Sequence, residues 1–156
     1  MKKLLLLFIV FISCGVAAQD AKFSKVNINI DRKLYPVEGE DSYSSSNSLA
    51  IIGATYMDGD FSRAESILQN ISDNIMLQDS QRLDFTSNNS KVLGVTGNVL
   101  KNVQGHAMYM ELYLIEAKGL TGNNGVILIM SGYPVAEKAV YGAEGKKAAL
   151  SASVTQ

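Results

Sequence analysis

Val126-Ile127-Leu128-Ile129-Met130 is a run of apolar residues with Asn123-Asn124-Gly125 before it and Ser131-Gly132 after it. So short a run, rich in β-branched residues and bounded by turn formers, predicts a strand. Successive side chains of a strand point to opposite faces of the sheet, so a strand apolar at every position is buried above and below. One layer of cover would have left alternate positions polar. The run therefore predicts an α+β sandwich, an antiparallel sheet held between two helical layers.

Both layers have candidates in the sequence. After the turn at Asp58-Gly59-Asp60, Ser62-Arg63-Ala64-Glu65 fits the S-x-x-E capping box, in which hydroxyl and carboxylate satisfy each other's orphan amides. Ala64, Ile67, Leu68, Ile71 and Ile75 then recur at spacings of three and four, which predicts an amphipathic helix over about 62–77. On the other side of the run, Pro134 precedes an Ala- and Lys-rich stretch, and a proline at the start predicts a C-terminal helix over about 135–150. Ala136, Val140, Ala143 and Leu150 form its expected inner side. Gly142 and Gly145 each weaken such a helix by about 1 kcal/mol relative to Ala. With Ala139 and Ala143 they read as small residues that permit close approach to the sheet.

The remaining strands follow from period-two alternation. Met108, Met110, Leu112 and Leu114 share one face of a long strand over 105–117, while Tyr109, Glu111, Tyr113 and Ile115 share the other. Residues 91–99 form a strand joined through the turn Ser87-Asn88-Asn89-Ser90 to a short one at 82–85. Val26, Ile28 and Ile30 alternate with asparagines within an expected strand over 22–30, and 49–56 is a further strand. Between these two, Pro36 and a serine cluster at 42–48 place an exposed Ser-rich loop at about 36–47.

The N-terminus carries an address. Lys2-Lys3 precede the unbroken apolar run Leu4 to Ile12, and Val16-Ala17-Ala18 offers small side chains for signal peptidase, so residues 1–18 read as a signal peptide and 19–156 as a single globular domain. A span needs about 20 apolar residues, more than this run or any later one supplies. The protein is expected to be exported, periplasmic or extracellular. An alternative fate is a membrane-tethered lipoprotein: Cys14 is the lone cysteine, and if Ile12-Ser13-Cys14 serves as a lipobox it becomes a lipidation site, although Phe11 stands where Leu is usual. The chain has 14 Lys+Arg against 15 Asp+Glu, a net charge of −1 that loss of Lys2 and Lys3 makes more negative. This balance argues against a nucleic-acid partner.

The order of elements, the Ala54-Thr55-Tyr56 strand leading into the Ser62 helix, and the Tyr133-Pro134 strand exit before the last helix resemble the PsbP-like group over about residues 26–150. That resemblance implies a central antiparallel sheet between helices and scaffold or interaction work. It implies no particular site residue.

The chemical inventory is thin. His106 is the only histidine, there is no tryptophan, and no serine sits in a G-x-S-x-G turn, so neither a Ser-His-Asp triad nor a His/Cys metal or haem site is assembled. Asp58, Asp60 and Ser62 begin like a calcium loop, but Arg63 and Gln69 occupy the positions of its glycine and bidentate glutamate. Gly94-Val95-Thr96-Gly97 and the glycines at 119–125 lack the phosphate-loop lysine. Asp84, Glu111 and Glu116 have no spacing that selects an acid pair. No catalytic, metal or cofactor-binding residue is assigned.

The row Tyr109, Glu111, Tyr113 is the candidate binding surface, since tyrosines give rigid amphipathic contact area. If the C-terminal helix covers that face, the same row is core. The expectation is an exported, non-catalytic accessory or interaction protein of the cell envelope that binds a partner protein or envelope component. The alternative is a small-ligand-binding protein or minor hydrolase with an Asp/Glu/Tyr pocket.

Overall fold

A computed structural model describes residues 26–119 and 121–155. The leader expected at 1–18 and Cys14 lie outside the described residues. The elements are β1 (Val26–Asn27), β2 (Val37–Glu38), β3 (Ser42–Ser44), β4 (Ile51–Asp58), α1 (Ala64–Asn74), β5 (Leu77–Ser87), β6 (Ser90–Val99), β7 (Met108–Lys118), β8 (Asn124–Pro134), α2 (Lys138–Tyr141), α3 (Glu144–Ser151) and β9 (Ser153–Val154). Seven strands make one antiparallel sheet in the order β2-β3-β4-β8-β7-β6-β5, and β1 pairs separately with β9. The fold is α+β.

The apolar run at 126–130 lies in β8, between β4 and β7, and Ile127 and Ile129 are no more than 1% exposed. On one face Ile52, Tyr56, Tyr113, Ile127, Ile129 and Tyr133 pack beneath Tyr141, Ala148 and Ala149 of the C-terminal helices, with Ile30 and Tyr35 filling in from the N-terminal segment. On the other face Met110, Leu112, Leu114, Val126, Leu128 and Met130 pack beneath Ala64, Leu68 and Ile75. Burial of this apolar surface on both sides is the main force holding the layers together.

Several boundaries differ from expectation, each for a local reason. Helix α1 is shorter than 62–77 and is entered through a 3-10 turn at Phe61–Arg63. The cap is Asp60, whose Oδ1 accepts from the Ser62 amide at 2.7 Å, so Ser62 and Glu65 do not form the capping box. The C-terminal cover is a 3-10 turn at Val135–Glu137 followed by α2 and α3, broken at Gly142 and Ala143. The break rotates the face that meets the sheet. Val140 (51%) and Leu150 (41%) are exposed, and Tyr141, Glu144, Gly145, Ala148 and Ala149 point inward instead.

The stretch expected as an exposed loop at 36–47 holds β2 and β3, whose hairpin extends the sheet beyond β4. The expected strand over 22–30 is reduced to β1 within the described residues, although Val26, Ile28 and Ile30 are inward and the asparagines outward as the alternation requires. The strand expected at 82–85 is the eleven-residue β5. A bulge between Gln78 and Gln81, with Asp79 at φ 50°, reverses the facing of β5, so that Leu77 joins the α1 side while Leu83 and Phe85 join the other. Gly97 accommodates this bulge: a Cβ there would stand 2.7 Å from the Gln78 carbonyl oxygen.

Candidate functional site

The row Tyr109, Glu111, Tyr113 lies on the β7 face beneath the C-terminal helices. Glu111 is 4% exposed. Its Oε2 accepts from the Tyr113 hydroxyl at 2.9 Å and its Oε1 from the Tyr133 hydroxyl at 2.5 Å. Helix α3 reaches this carboxylate only because Gly145 has no side chain; a Cβ there would stand 2.5 Å from Glu111 Oε2 and 3.0 Å from Ser131 Cβ. Tyr109 is half-buried, donates to Thr96 Oγ1 at 3.0 Å, and has the Lys138 ammonium 3.8 Å from its ring centroid. Tyr35, Tyr141 and Tyr133 continue an aromatic column beside it, with successive ring centroids 5.4 and 6.2 Å apart.

The electrostatics follow from burial. Loss of water around Glu111 raises its pKa above the usual carboxylate range, against the pull of the Tyr133 and Tyr113 donors and of the Lys138 charge. Burial and the neighbouring Glu111 push the Tyr113 and Tyr133 hydroxyls well above the ordinary tyrosine range, so both remain neutral donors. Tyr35 is raised mainly by burial. The arrangement stores a buried acid with each oxygen occupied.

A second feature is open. Where the lead-in turn of α1, the β5–β6 turn and the β7–β8 connection meet, a cleft of about 470 Å³ is lined by Asp60, Phe61, Asn89, Ser90, Glu116 and Lys118. It combines an aromatic ring with two carboxylates, an ammonium, an amide and a hydroxyl. Asp60 stays ionised there, its carboxyl held below the usual range by the Ser62 amide and hydroxyl.

The three acids considered from sequence are dispersed. Glu111 is inside, Glu116 is at the cleft, and Asp84 lies on β5, facing opposite to Leu83 and Phe85. Asp58 ends β4, while Asp60 caps the turn. His106 is exposed and joined by a backbone bridge to Val103. Among the described residues no group of three His, Cys, Asp or Glu side chains is placed to hold a metal ion.

Sequence reasoning does not single out Tyr133 as a site residue, and of the cleft residues it weighs only Asp60, as a calcium-loop position, and Glu116, as one of three acids. Tyr133 reaches Glu111 through the β7–β8 register, which sets Tyr109 opposite Tyr133 and Glu111 opposite Ser131. The cleft arises from three turns far apart in the chain, visible in sequence only as separate Asp/Gly and Ser/Asn clusters.

No family model matches the chain, and no curated protein matches it. Solved structures do. The chain is similar to LpqN, described as involved in cell envelope biogenesis of Mycobacterium tuberculosis, with 13% identity over 90% of this chain and 88% of that one and a TM-score of 0.57. It is similar also to PA94, a protein of unknown function from Pseudomonas aeruginosa, with 14% identity over 87% of this chain and 85% of that one and a TM-score of 0.50. At these identities the likeness is one of fold, that of α+β domains with a covered antiparallel sheet. Among the described residues no helix is long and apolar enough to cross a membrane.

Proposed function

We propose that the chain is an exported, non-catalytic accessory or interaction protein of the cell envelope, binding a partner protein or envelope component at the cleft lined by Asp60, Asn89 and Glu116. The observation that carries this reading is the sealing of Glu111: this acid lies 4% exposed beneath the C-terminal helices with both carboxylate oxygens bonded. A reacting group would need access to its substrate. The cleft, by contrast, is open and mixes apolar and charged groups. The fold shared with LpqN and the PsbP-like resemblance of the sequence point toward envelope accessory work.

The test is a photo-crosslinking residue placed at Asn89 and, as a control, at Asn70 on the outer side of α1, followed by fractionation of the cells. A specific envelope adduct at Asn89 alone supports the reading. Turnover of a substrate by the purified chain, abolished by Glu111→Gln, defeats it.

A small-ligand-binding role is the second reading, favoured by the cleft volume, which lies within the roughly 300–1,000 Å³ of ligand pockets. A thermal-shift response to a small molecule that is lost in Glu116→Ala would favour it. Lipid anchoring is separated by Cys14→Ser: an unchanged mass and soluble fraction exclude acylation.

A further inference from the structure

Among the described residues the sheet ends on two strands with a free edge, β2 and β5, and they differ. Edge strand β2 is two residues long, whereas β5 runs for eleven and is regular from Gln81 to Ser87. The β5–β6 hairpin closes through Asn88 and Asn89 at φ 50° and 65°, the left-handed pair of a two-residue type I′ turn, so Ser87 and Ser90 exchange both backbone bonds. Counting back from Ser87, the amides and carbonyls of Phe85, Leu83 and Gln81 face β6, and those of Thr86, Asp84 and Arg82 face outward. Among the described residues, none of these three outward residues makes a backbone bond outside the sheet ladder.

We propose that β5 is the self-association edge of this protein, pairing antiparallel with β5 of a second copy in a register centred on Leu83. Antiparallel pairing sets outward-bonding residues opposite one another, so only registers centred on a single residue are permitted. Centring on Asp84 or on Arg82 opposes like residues of like charge, which is unfavourable. Centring on Leu83 places Arg82 of each copy opposite Asp84 of the other, twice, because the two-fold axis repeats every contact. It also brings the half-buried Leu83 side chains together at the axis, on the opposite face from the charges.

Asp84 has no ion-pair partner among the described residues. Arg82 is held toward α1 by Glu65 at 2.5 Å and Gln69 at 3.0 Å, on the same face that the partner's carboxylate would enter. The pairing thus extends one sheet into a continuous two-copy sheet and satisfies the exposed edge.

Two measurements on the full chain test this, with Cys14→Ser as the background for crosslinking. In the proposed register the two Leu83 positions form a non-hydrogen-bonded pair with Cα atoms about 4.5 Å apart, within disulfide range. Two copies of position 85 are separated by four strand residues, about 14 Å. Mild oxidation should therefore link Leu83→Cys into dimers and leave Phe85→Cys monomeric. Sedimentation across a concentration series should show a salt-sensitive dimer whose Kd rises about tenfold or more in Asp84→Arg and returns toward the parental value in the Arg82→Asp/Asp84→Arg double swap. A monomer at every concentration, equal crosslinking at both positions, or no rescue by the double swap in chains with native circular dichroism overturns the proposal.

Discussion

Glu111 carries a cost at neutral pH that its hydrogen bonds offset only in part. Its pKa is raised in the folded state, so the native protein binds the proton more tightly than the unfolded chain does. Below the unfolded pKa of about 4.3 both states are protonated and there is no penalty. As pH rises from there through the folded pKa, the unfolded state ionises first and stability is lost. Each tenfold in relative proton affinity counts about 1.4 kcal/mol. Glu111→Gln removes the titration, so urea midpoints measured from pH 4 to 8 should show the variant gaining on the parent as pH rises. A constant difference would mean that Glu111 titrates as it does in the unfolded chain. Glu111→Leu acts differently, leaving the Tyr113 and Tyr133 hydroxyls without an acceptor, and is expected to destabilise at every pH, by about 1–3 kcal/mol for each stranded donor.

At the scale of elements, the 3-10 turn that leads into α1 has a cap that its sequence disguises. Asp60, not Ser62, supplies the accepting oxygen. Asp60→Ala should lower the melting temperature, while Ser62→Ala should leave it nearly unchanged; the reverse order would restore the S-x-x-E capping box. The Asp60 carboxyl has a lowered pKa, so its contribution is present above the unfolded value of about 3.9 and fades as pH falls through the folded one. The C-terminal cover offers a parallel test. Ala148 is fully buried and Val140 is 51% exposed, so Ala148→Leu should cost about 1–3 kcal/mol through overpacking, while Val140→Ala stays within about 0.5 kcal/mol. Had the helix presented Val140 inward, chemical denaturation would rank the two the other way.

These elements also show why some parts of the chain were legible and others were not. Strand β8 was readable because complete burial leaves an unbroken apolar run. The α1 stripe was readable because the helix packs against the sheet with one face throughout. Strand β5 announced only its centre, since an edge strand buries little and the bulge at Gln78–Gln81 breaks its alternation. The inner side of α3 was misjudged because the break at Gly142 and Ala143 resets the helical phase, which no fixed period over 135–150 can represent. Period two put Tyr109, Glu111 and Tyr113 on one face, but Tyr133 joins them only through pairing between strands distant in sequence.

For the whole molecule, the decisive relation is that each sheet face has its own cover. Ending the chain after Pro134 removes α2, α3 and β9 while leaving α1 on the opposite face. Tyr133, Ile129 and Ile127 then lose Tyr141, Ala148 and Ala149. The N-terminal segment loses three attachments as well, the Asn29 amide to the Ser151 hydroxyl, the Asp31 amide to Glu144 and the β1–β9 pairing. The ladders of the seven-stranded sheet contain no residue beyond Pro134, so strand content should survive. What should disappear is fixed packing: the truncated chain is expected to keep its far-UV dichroism, bind a hydrophobic dye and melt without a sharp transition, the behaviour of a collapsed state with secondary structure but loosened tertiary contacts. A sharp transition without dye binding would show that one covered face is sufficient, and that the apolar character of Ile127 and Ile129 answers some other need than the helices above them.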